Sequence, residues 1–174
     1  MDLNEKSKKI KLILLDVDGV LTDGSIIFGE SNQELKVFNI KDGLGIKLAQ
    51  AGGIEIGIIT GRTSEAVKKR ADELAIKILY QGQRDKVKVY EQIKNDLGLK
   101  DDQIAYVGDD LSDLKLLQKV GFSITVNDAC DEVKAEVDYI IKCPGGKGAV
   151  REVIELILKS QGKWQGLIQK YYST

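Results

Sequence analysis

Six short apolar runs recur along this 174-residue chain, separated by segments whose apolar residues keep helical spacing. The runs are "IKLILLD" (10–16), "IEIGIIT" (54–60), "IKILY" (76–80), "QIAYVGD" (103–109), "FSITV" (122–126) and "DYIIK" (138–142). Apolar runs of this length, rich in Ile and Val, read as strands buried on both faces, as in a parallel sheet. Between them Val67, Ala71 and Leu74 form one helical face, Tyr90, Ile93 and Leu97 a second, and Leu114, Leu117 and Val120 a third. Thr63 and Asp85 are the expected N-caps, and Gly98 and Gly121 the expected residues just past helix ends. Successive βα units can close only through crossovers that place helices against the sheet. No repeat, low-complexity tract or linker interrupts the pattern, so residues 1–174 read as a single domain.

One segment breaks the alternation. "GSIIFGESNQELKVFNIKDG" reads as two short strands around the polar turn "GESNQ", making a hairpin over Gly24 to Asn39. Ile26 and Phe28 point one way and Ile27 the other, while Leu35 and Val37 oppose Phe38. A lone hairpin is marginal in water, and one that is apolar on both faces needs a surface to cover it. Its own domain and a subunit interface are equally good candidates. The expected fold class is α/β: a doubly wound, Rossmann-like parallel sheet with helices on both faces and a β-hairpin inserted after the first strand.

Charge and composition exclude several functions. Lys and Arg number 26 against 27 Asp and Glu, so no nucleic-acid-binding surface is expected. No segment reaches the length of a membrane span, and the apolar stretch after "MDLNEKSKK" is too short for an export signal. Cys130 and Cys143 make neither a disulfide framework nor a metal-ligand pair, which suits a cytoplasmic protein. The chain has no histidine, so proton transfer must fall to carboxylates, lysine, tyrosine or cysteine.

Carboxylates are where they would be needed. Asp16 and Asp18 follow the first apolar run, two residues apart and so expected on one side, at the strand end where open α/β sheets bind ligands. Thr60 ends the second run, Asp109 and Asp110 follow the fourth, and Lys86 opens the helix after the third. Parallel strands would gather all of these at one edge. Hard oxygen ligands without histidine suit Mg²⁺ rather than zinc. An ion of that kind beside a lysine and a hydroxyl makes a receptacle for a phosphoryl group. "GGKGAV" lacks the spacing of a phosphate-binding P-loop. Asp113, one helical turn beyond Asp109, would meet the metal through water, orient Lys86 or cap a helix; Asp110 is as open.

"DVDGVLTDG", "IITGR", "RDK" and "GDDLSD", in that order, resemble the four motifs of the haloacid dehalogenase superfamily of phosphatases. The resemblance spans nearly the whole chain. It implies that Asp16 is a nucleophile forming an aspartyl phosphate and that Asp18 is the general acid–base. It also implies that Thr60 and Lys86 hold the phosphoryl oxygens, and that Mg²⁺ binds Asp16, the Asp18 carbonyl and Asp109. Thr60 and Lys86 are too close in sequence for a cap domain between them, so the chain is expected to be uncapped.

Within that superfamily the uncapped layout, the hairpin and "GGKGAVREV" are similar to the phosphatases of 3-deoxy-D-manno-octulosonate (KDO) 8-phosphate. These are homotetramers that supply KDO to lipopolysaccharide; their hairpins assemble together and their C-terminal residues help cover a neighbour's site. This likeness implies a small sugar-acid phosphate as substrate, met by Asp18, Lys86, the turn Asn39, Ile40, Lys41, Asp42 and Gly43, and the arginines Arg62 and Arg70. The two arginines, eight apart, are expected on one face of one helix, and "PGGKG" is either a substrate-side loop or a flexible lead into the last core helix. "WQGLIQKYY" carries Trp164, Leu167, Ile168 and Tyr171 at helical spacing, for its own domain or another subunit. A phosphatase of nonulosonate 9-phosphates and a non-catalytic oligomerisation module are the rival readings. A receiver domain would not need Asp18.

Overall fold

The computed structural model describes residues 2–30 and 33–172. All six apolar runs enter one parallel sheet: β1 (Leu12–Leu15), β4 (Glu55–Ile59), β5 (Ile78–Tyr80), β6 (Ile104–Val107), β7 (Phe122–Thr125) and β8 (Tyr139–Ile140). Its order is β5-β4-β1-β6-β7-β8. The chain winds outward from β1 in one direction, then returns to β6 and winds outward in the other. β1 therefore lies at the reversal, where the crevice of such a sheet opens. Its four residues are wholly buried, as a strand covered on both faces must be. Ladder bonds continue just past the strand ends, the Asp16, Thr60, Gly108 and Ile141 amides donating to the Val107, Tyr80, Ile124 and Thr125 carbonyls. Ile10, Ile54, Ile76, Val126 and Ile141 flank the strands and are buried without belonging to them.

Helices form two layers. α2 (Ile40–Ala51) packs along α7 (Ala149–Ser160), which also holds α1 (Leu3–Lys8) and α8 (Trp164–Gln169). α5 (Leu114–Leu117) joins α4 (Lys86–Asp96) to α6 (Asp131–Glu136). α3 (Glu65–Glu73) buries Val67 and Ala71, and its C-cap Leu74 is buried with them. Asp85 caps α4 through the Lys88 amide, and Gly98 follows that helix at φ +62°. Three local expectations need correction. Ser64, not Thr63, is the N-cap of α3. Leu97 falls at the end of α4, where the helix leaves the core, and is exposed. α5 ends well before Gly121, whose own place is set by close approach to the backbone of Asp101 and Asp102.

The hairpin pairs β2 (Ile27–Phe28) with β3 (Glu34–Leu35), antiparallel. Gly29 N–H donates to the Gln33 carbonyl across the expected "GESNQ" turn, in which Ser31 and Asn32 lie outside the described residues. Ile26, Ile27, Phe28, Leu35 and Val37 are all exposed, and only Phe38 packs on the core. This chain does not cover its own hairpin. The C-terminal stripe behaves differently: Trp164 is buried between the cations of Arg151 and Lys159, and Leu167 and Ile168 pack on the core. Only Tyr171 of that stripe stays exposed. Among the described residues no helix is long and apolar enough to cross a membrane.

The α2–α7 contact contains a buried charge. Asp42, 1% exposed, accepts the Arg151 amide at 2.7 Å and so caps α7 from a neighbouring helix. Its Oδ2 accepts no hydrogen bond among the described residues. Burial pushes the carboxyl up to about 6, against the pull of the Arg151 and Gly148 amides. The unfolded chain loses this proton at lower pH, so between about pH 4 and 6 the folded state holds the extra proton and this group's contribution to stability improves as pH falls. Asp42→Asn keeps an acceptor for the cap and removes the charge. Its melting temperature should exceed wild type at pH 8, and the gap should close as pH falls through 6 towards 4; a gap constant with pH would refute this.

Candidate active site

A cavity of about 290 Å³ opens at the carboxyl end of β1. Asp16, Asp18, Thr60, Lys86 and Asp109 all line it, with Asp110 and Arg62 at its edges. Asp16 continues the ladder past β1, its amide donating to the Val107 carbonyl at 3.0 Å, and Asp18 follows it. β1 stops at Leu15, and a tight turn follows in which Val20, Leu21 and Thr22 amides all converge on the Val17 carbonyl. Asp18 lies within that turn and lines the cavity with Asp16.

Lys86 organises the floor. It stands at the first position of α4, where the helix dipole disfavours a cation, and its side chain is only 4% exposed. Its Nζ lies 2.6 Å from Asp113 Oδ1, 3.1 Å from Asp16 Oδ1 and 3.1 Å from the Tyr106 hydroxyl. Burial alone would lower its pKa, but Asp16 and Asp113 hold it above the usual lysine range. Asp113 is wholly buried and fully used. Oδ1 accepts from Lys86 and from the Tyr106 hydroxyl at 2.6 Å, and Oδ2 accepts the Asp109 and Asp110 amides at 3.0 and 3.3 Å. Of its three sequence readings, orienting Lys86 and capping the loop are both realised. Asp110 accepts the Leu111 amide and caps the same 3₁₀ turn.

The opposite holds for Asp16 and Asp109. Oδ1 of each is buried and accepts no well-aligned hydrogen bond among the described residues, the Lys86 contact of Asp16 being an ion pair only. Burial, then Asp113, raises Asp16 to about 6; burial, then Asp16 and Asp113, raises Asp109 to about 8. Ligand atoms of Asp16, Asp109 and Asp113 lie within 4.8 Å of one another. Three carboxylates against one ammonium leave surplus negative charge, and two oxygens are free to take a hard cation. Gly19 belongs to this cradle, since a Cβ there would collide with the Asp109 carboxylate. A divalent oxygen-liganded ion fits the site.

The remaining candidates divide between two places. Thr60 is buried beside Asp16 at the β4 end. Arg62 is not on a helix with Arg70, because α3 begins at Glu65; it sits in the preceding loop. Its guanidinium binds Glu34 Oε2 at 2.6 Å and lies 3.8 Å from Asp18 Oδ2. Arg70 lines a separate cavity of about 390 Å³ with Lys36, Phe38 and Ile40, paired to Glu73 at 2.7 Å. Of the turn 39–43, Ile40 and Lys41 are exposed. Asn39 caps α2 through the Lys41 amide and donates to the Gly146 carbonyl, Asp42 is buried in the α7 cap, and Gly43 is buried against the Arg70 guanidinium.

The "PGGKG" loop is no flexible lead. Gly146 N–H binds the Val20 carbonyl at 2.9 Å, and Gly145 lies so close to Gly19 that any Cβ would strike its carbonyl. The loop therefore braces the turn that carries Asp18. Sequence reasoning missed Tyr106, Glu34 and Lys36. A lone tyrosine in an otherwise aliphatic strand was the available signal for the first; period-two alternation opposite Leu35 and Val37 was the signal for the others.

Comparison with known proteins now decides the family. A profile of haloacid dehalogenase-like hydrolases matches residues 79–154. 3-Deoxy-D-manno-octulosonate 8-phosphate phosphatase KdsC of Escherichia coli K12 is 45% identical over 162 residues, covering 93% of this chain and 86% of that protein. The chain belongs to this phosphatase family of the haloacid dehalogenase-like hydrolases. The crystal structure of the Moraxella catarrhalis phosphatase, in complex with magnesium, phosphate and KDO, is similar with TM-score 0.94 and 45% identity over 97% of both chains. The cobalt-bound form from Haemophilus influenzae gives 0.88 and 38%, covering 91% of this chain and 92% of that one.

The buried Lys86–Asp113 pair should be costly to break. Asp113→Ala leaves the Tyr106 hydroxyl and two loop amides without an acceptor and Lys86 with one partner fewer, a loss of about 3–5 kcal/mol. Urea unfolding at neutral pH measures it; a loss under about 1 kcal/mol would mean that the pair contributes little.

Proposed function

We propose that this protein is a Mg²⁺-dependent phosphomonoesterase that hydrolyses KDO 8-phosphate to KDO and phosphate, through an aspartyl phosphate on Asp16. One observation carries the mechanism. Asp16 is buried at the strand end with an oxygen free of hydrogen bonds, beside a buried lysine and a second carboxylate. The relatives' substrate and the magnesium, phosphate and KDO of the Moraxella catarrhalis complex supply the rest.

In this reading Asp16, Asp109 and the Asp18 carbonyl hold Mg²⁺, which when bound offsets the negative charge on the phosphoryl oxygens. Lys86 and Thr60 orient those oxygens. Asp16 attacks phosphorus, a new P–O bond forming as the bond to the sugar oxygen breaks, and Asp18 gives that oxygen its proton. Asp18 then takes a proton from water as the water attacks phosphorus, releasing phosphate and restoring Asp16. Arg62 and Arg70 serve the carboxylate end of the sugar, with the backbone of residues 39–43 alongside. A single domain without a cap performs this in the cytoplasm, for lipopolysaccharide precursor synthesis.

Asp16→Asn should abolish phosphate release from KDO 8-phosphate, and Asp18→Asn should slow it by ~10²–10⁴. Excess EDTA should stop the wild type, and Mg²⁺ should restore it. Near-normal release from the Asp16 variant would overturn the mechanism; release from other sugar-acid phosphates in preference to KDO 8-phosphate would overturn the substrate.

We also infer a homotetramer centred on the hairpin, whose apolar residues are exposed on this chain. Exposed Tyr171 and Tyr172 are the apolar groups of the described tail that can reach a neighbour's site. Replacing Ile27 and Phe28 with lysine should reduce the mass measured by light scattering from four subunits towards one. A wild-type mass of one subunit at micromolar concentration would defeat the assembly.

A further inference from the structure

The site contains a closed ring of four charges, and no step above uses two of its members, Lys36 and Glu34. Lys36 Nζ pairs with Asp18 Oδ1 and lies 2.9 Å from Glu34 Oε1. Glu34 Oε2 accepts from Arg62 at 2.6 Å, and Arg62 Nε returns to within 3.8 Å of Asp18 Oδ2. Each carboxylate thus meets two cations, and each cation two carboxylates. Lys36 is the unexpected member. It follows a two-residue strand in a hairpin whose apolar residues face solvent, yet its own side chain is only 1% exposed. A lysine withdrawn from water to that degree is costly unless its charge is matched, and Asp18 with Glu34 matches it. Alternation explains how: Leu35 and Val37 point outward, so Glu34 and Lys36 point at the site.

We propose that Lys36 and Glu34 are positioning residues for proton transfer. Lys36 fixes the Asp18 carboxylate towards the leaving oxygen, and Glu34 fixes Lys36 and Arg62 around it. The proposal rests on the reading of Asp18 as the group that protonates the leaving alcohol. A carboxylate free to rotate spends less time in line with that oxygen, and proton transfer is sensitive to such misplacement. The penalty depends on the leaving group. A 4-nitrophenolate departs with little help, whereas a phenolate or an alkoxide needs the proton.

The test is a series of substituted phenyl phosphates, with kcat/KM plotted against leaving-group pKa. This ratio reports the steps up to departure of the alcohol, before water attacks the enzyme. Lys36→Met should steepen the slope, phenyl phosphate falling at least about tenfold further than 4-nitrophenyl phosphate. Glu34→Gln, which changes shape least, should steepen it in the same direction but less. Lys36→Arg should restore much of the wild-type slope. Asp18→Asn, run in parallel, should give the steepest line, and adding Lys36→Met to it should change the slope no further. A parallel drop across the whole series in the Lys36 and Glu34 variants, with Asp18→Asn still steep, would overturn the positioning role alone, because lost binding or folding lowers every substrate equally. An unchanged slope for Asp18→Asn would instead overturn the reading of Asp18, and this proposal with it.

Discussion

The Lys86–Asp113 pair is the contact on which the site depends. It joins α4 to the loop after β6, and through Tyr106 it reaches the middle of the sheet. Because Asp113 also accepts two loop amides, the same carboxylate that anchors Lys86 sets the position of Asp109. Lys86 in turn faces Asp16. Asp16, Lys86 and Asp109, from three separate segments, are thereby held in one geometry by buried groups. Such groups cannot relax into water, so the arrangement is rigid for the same reason that it is costly.

Charge at the site is deliberately unbalanced on one side and balanced on the other. Around Asp16 and Asp109 burial first, and then negative charge beyond what Lys86 neutralises, raises both carboxyls. Around Asp18 two acids meet two bases. The first half demands a cation from outside; the second is complete without one. That asymmetry separates Asp16 from Asp18, the proposed nucleophile from the proposed proton carrier, although only Val17 lies between them.

The sheet was legible in the sequence because burial on both faces leaves a strong mark: each of the six apolar runs became a strand. The motif residues were legible because they sit immediately after those runs, where topology alone delivers them to one edge. What escaped depends on tertiary closure. Arg62 was expected on a helix, but the chain needs several loop residues to turn from β4 into α3, and Arg62 is one of them. Asp42 looked like part of a binding turn, yet the depth of the α2–α7 contact made it a helix cap. Lys36 read as an ordinary hairpin charge, because nothing local shows that Asp18 and Glu34 wait beneath it. Asp16 and Asp18 line one cavity, as expected, although Asp18 itself lies in a turn.

The brace between Gly145 and Gly19 has a consequence for how the chain becomes competent. The turn carrying Asp18 leaves the ribosome long before the loop that presses on it, which lies beyond β8 in the chain. A growing chain can pair β1 with β4 long before β8 and α7 exist, so the sheet can begin to assemble during synthesis. The turn that carries Asp18 nevertheless lacks one wall until Gly145 and Gly146 have emerged. Sheet and site are therefore completed at different times: Asp16 and Asp18 are present early, and the loop that braces their turn arrives late.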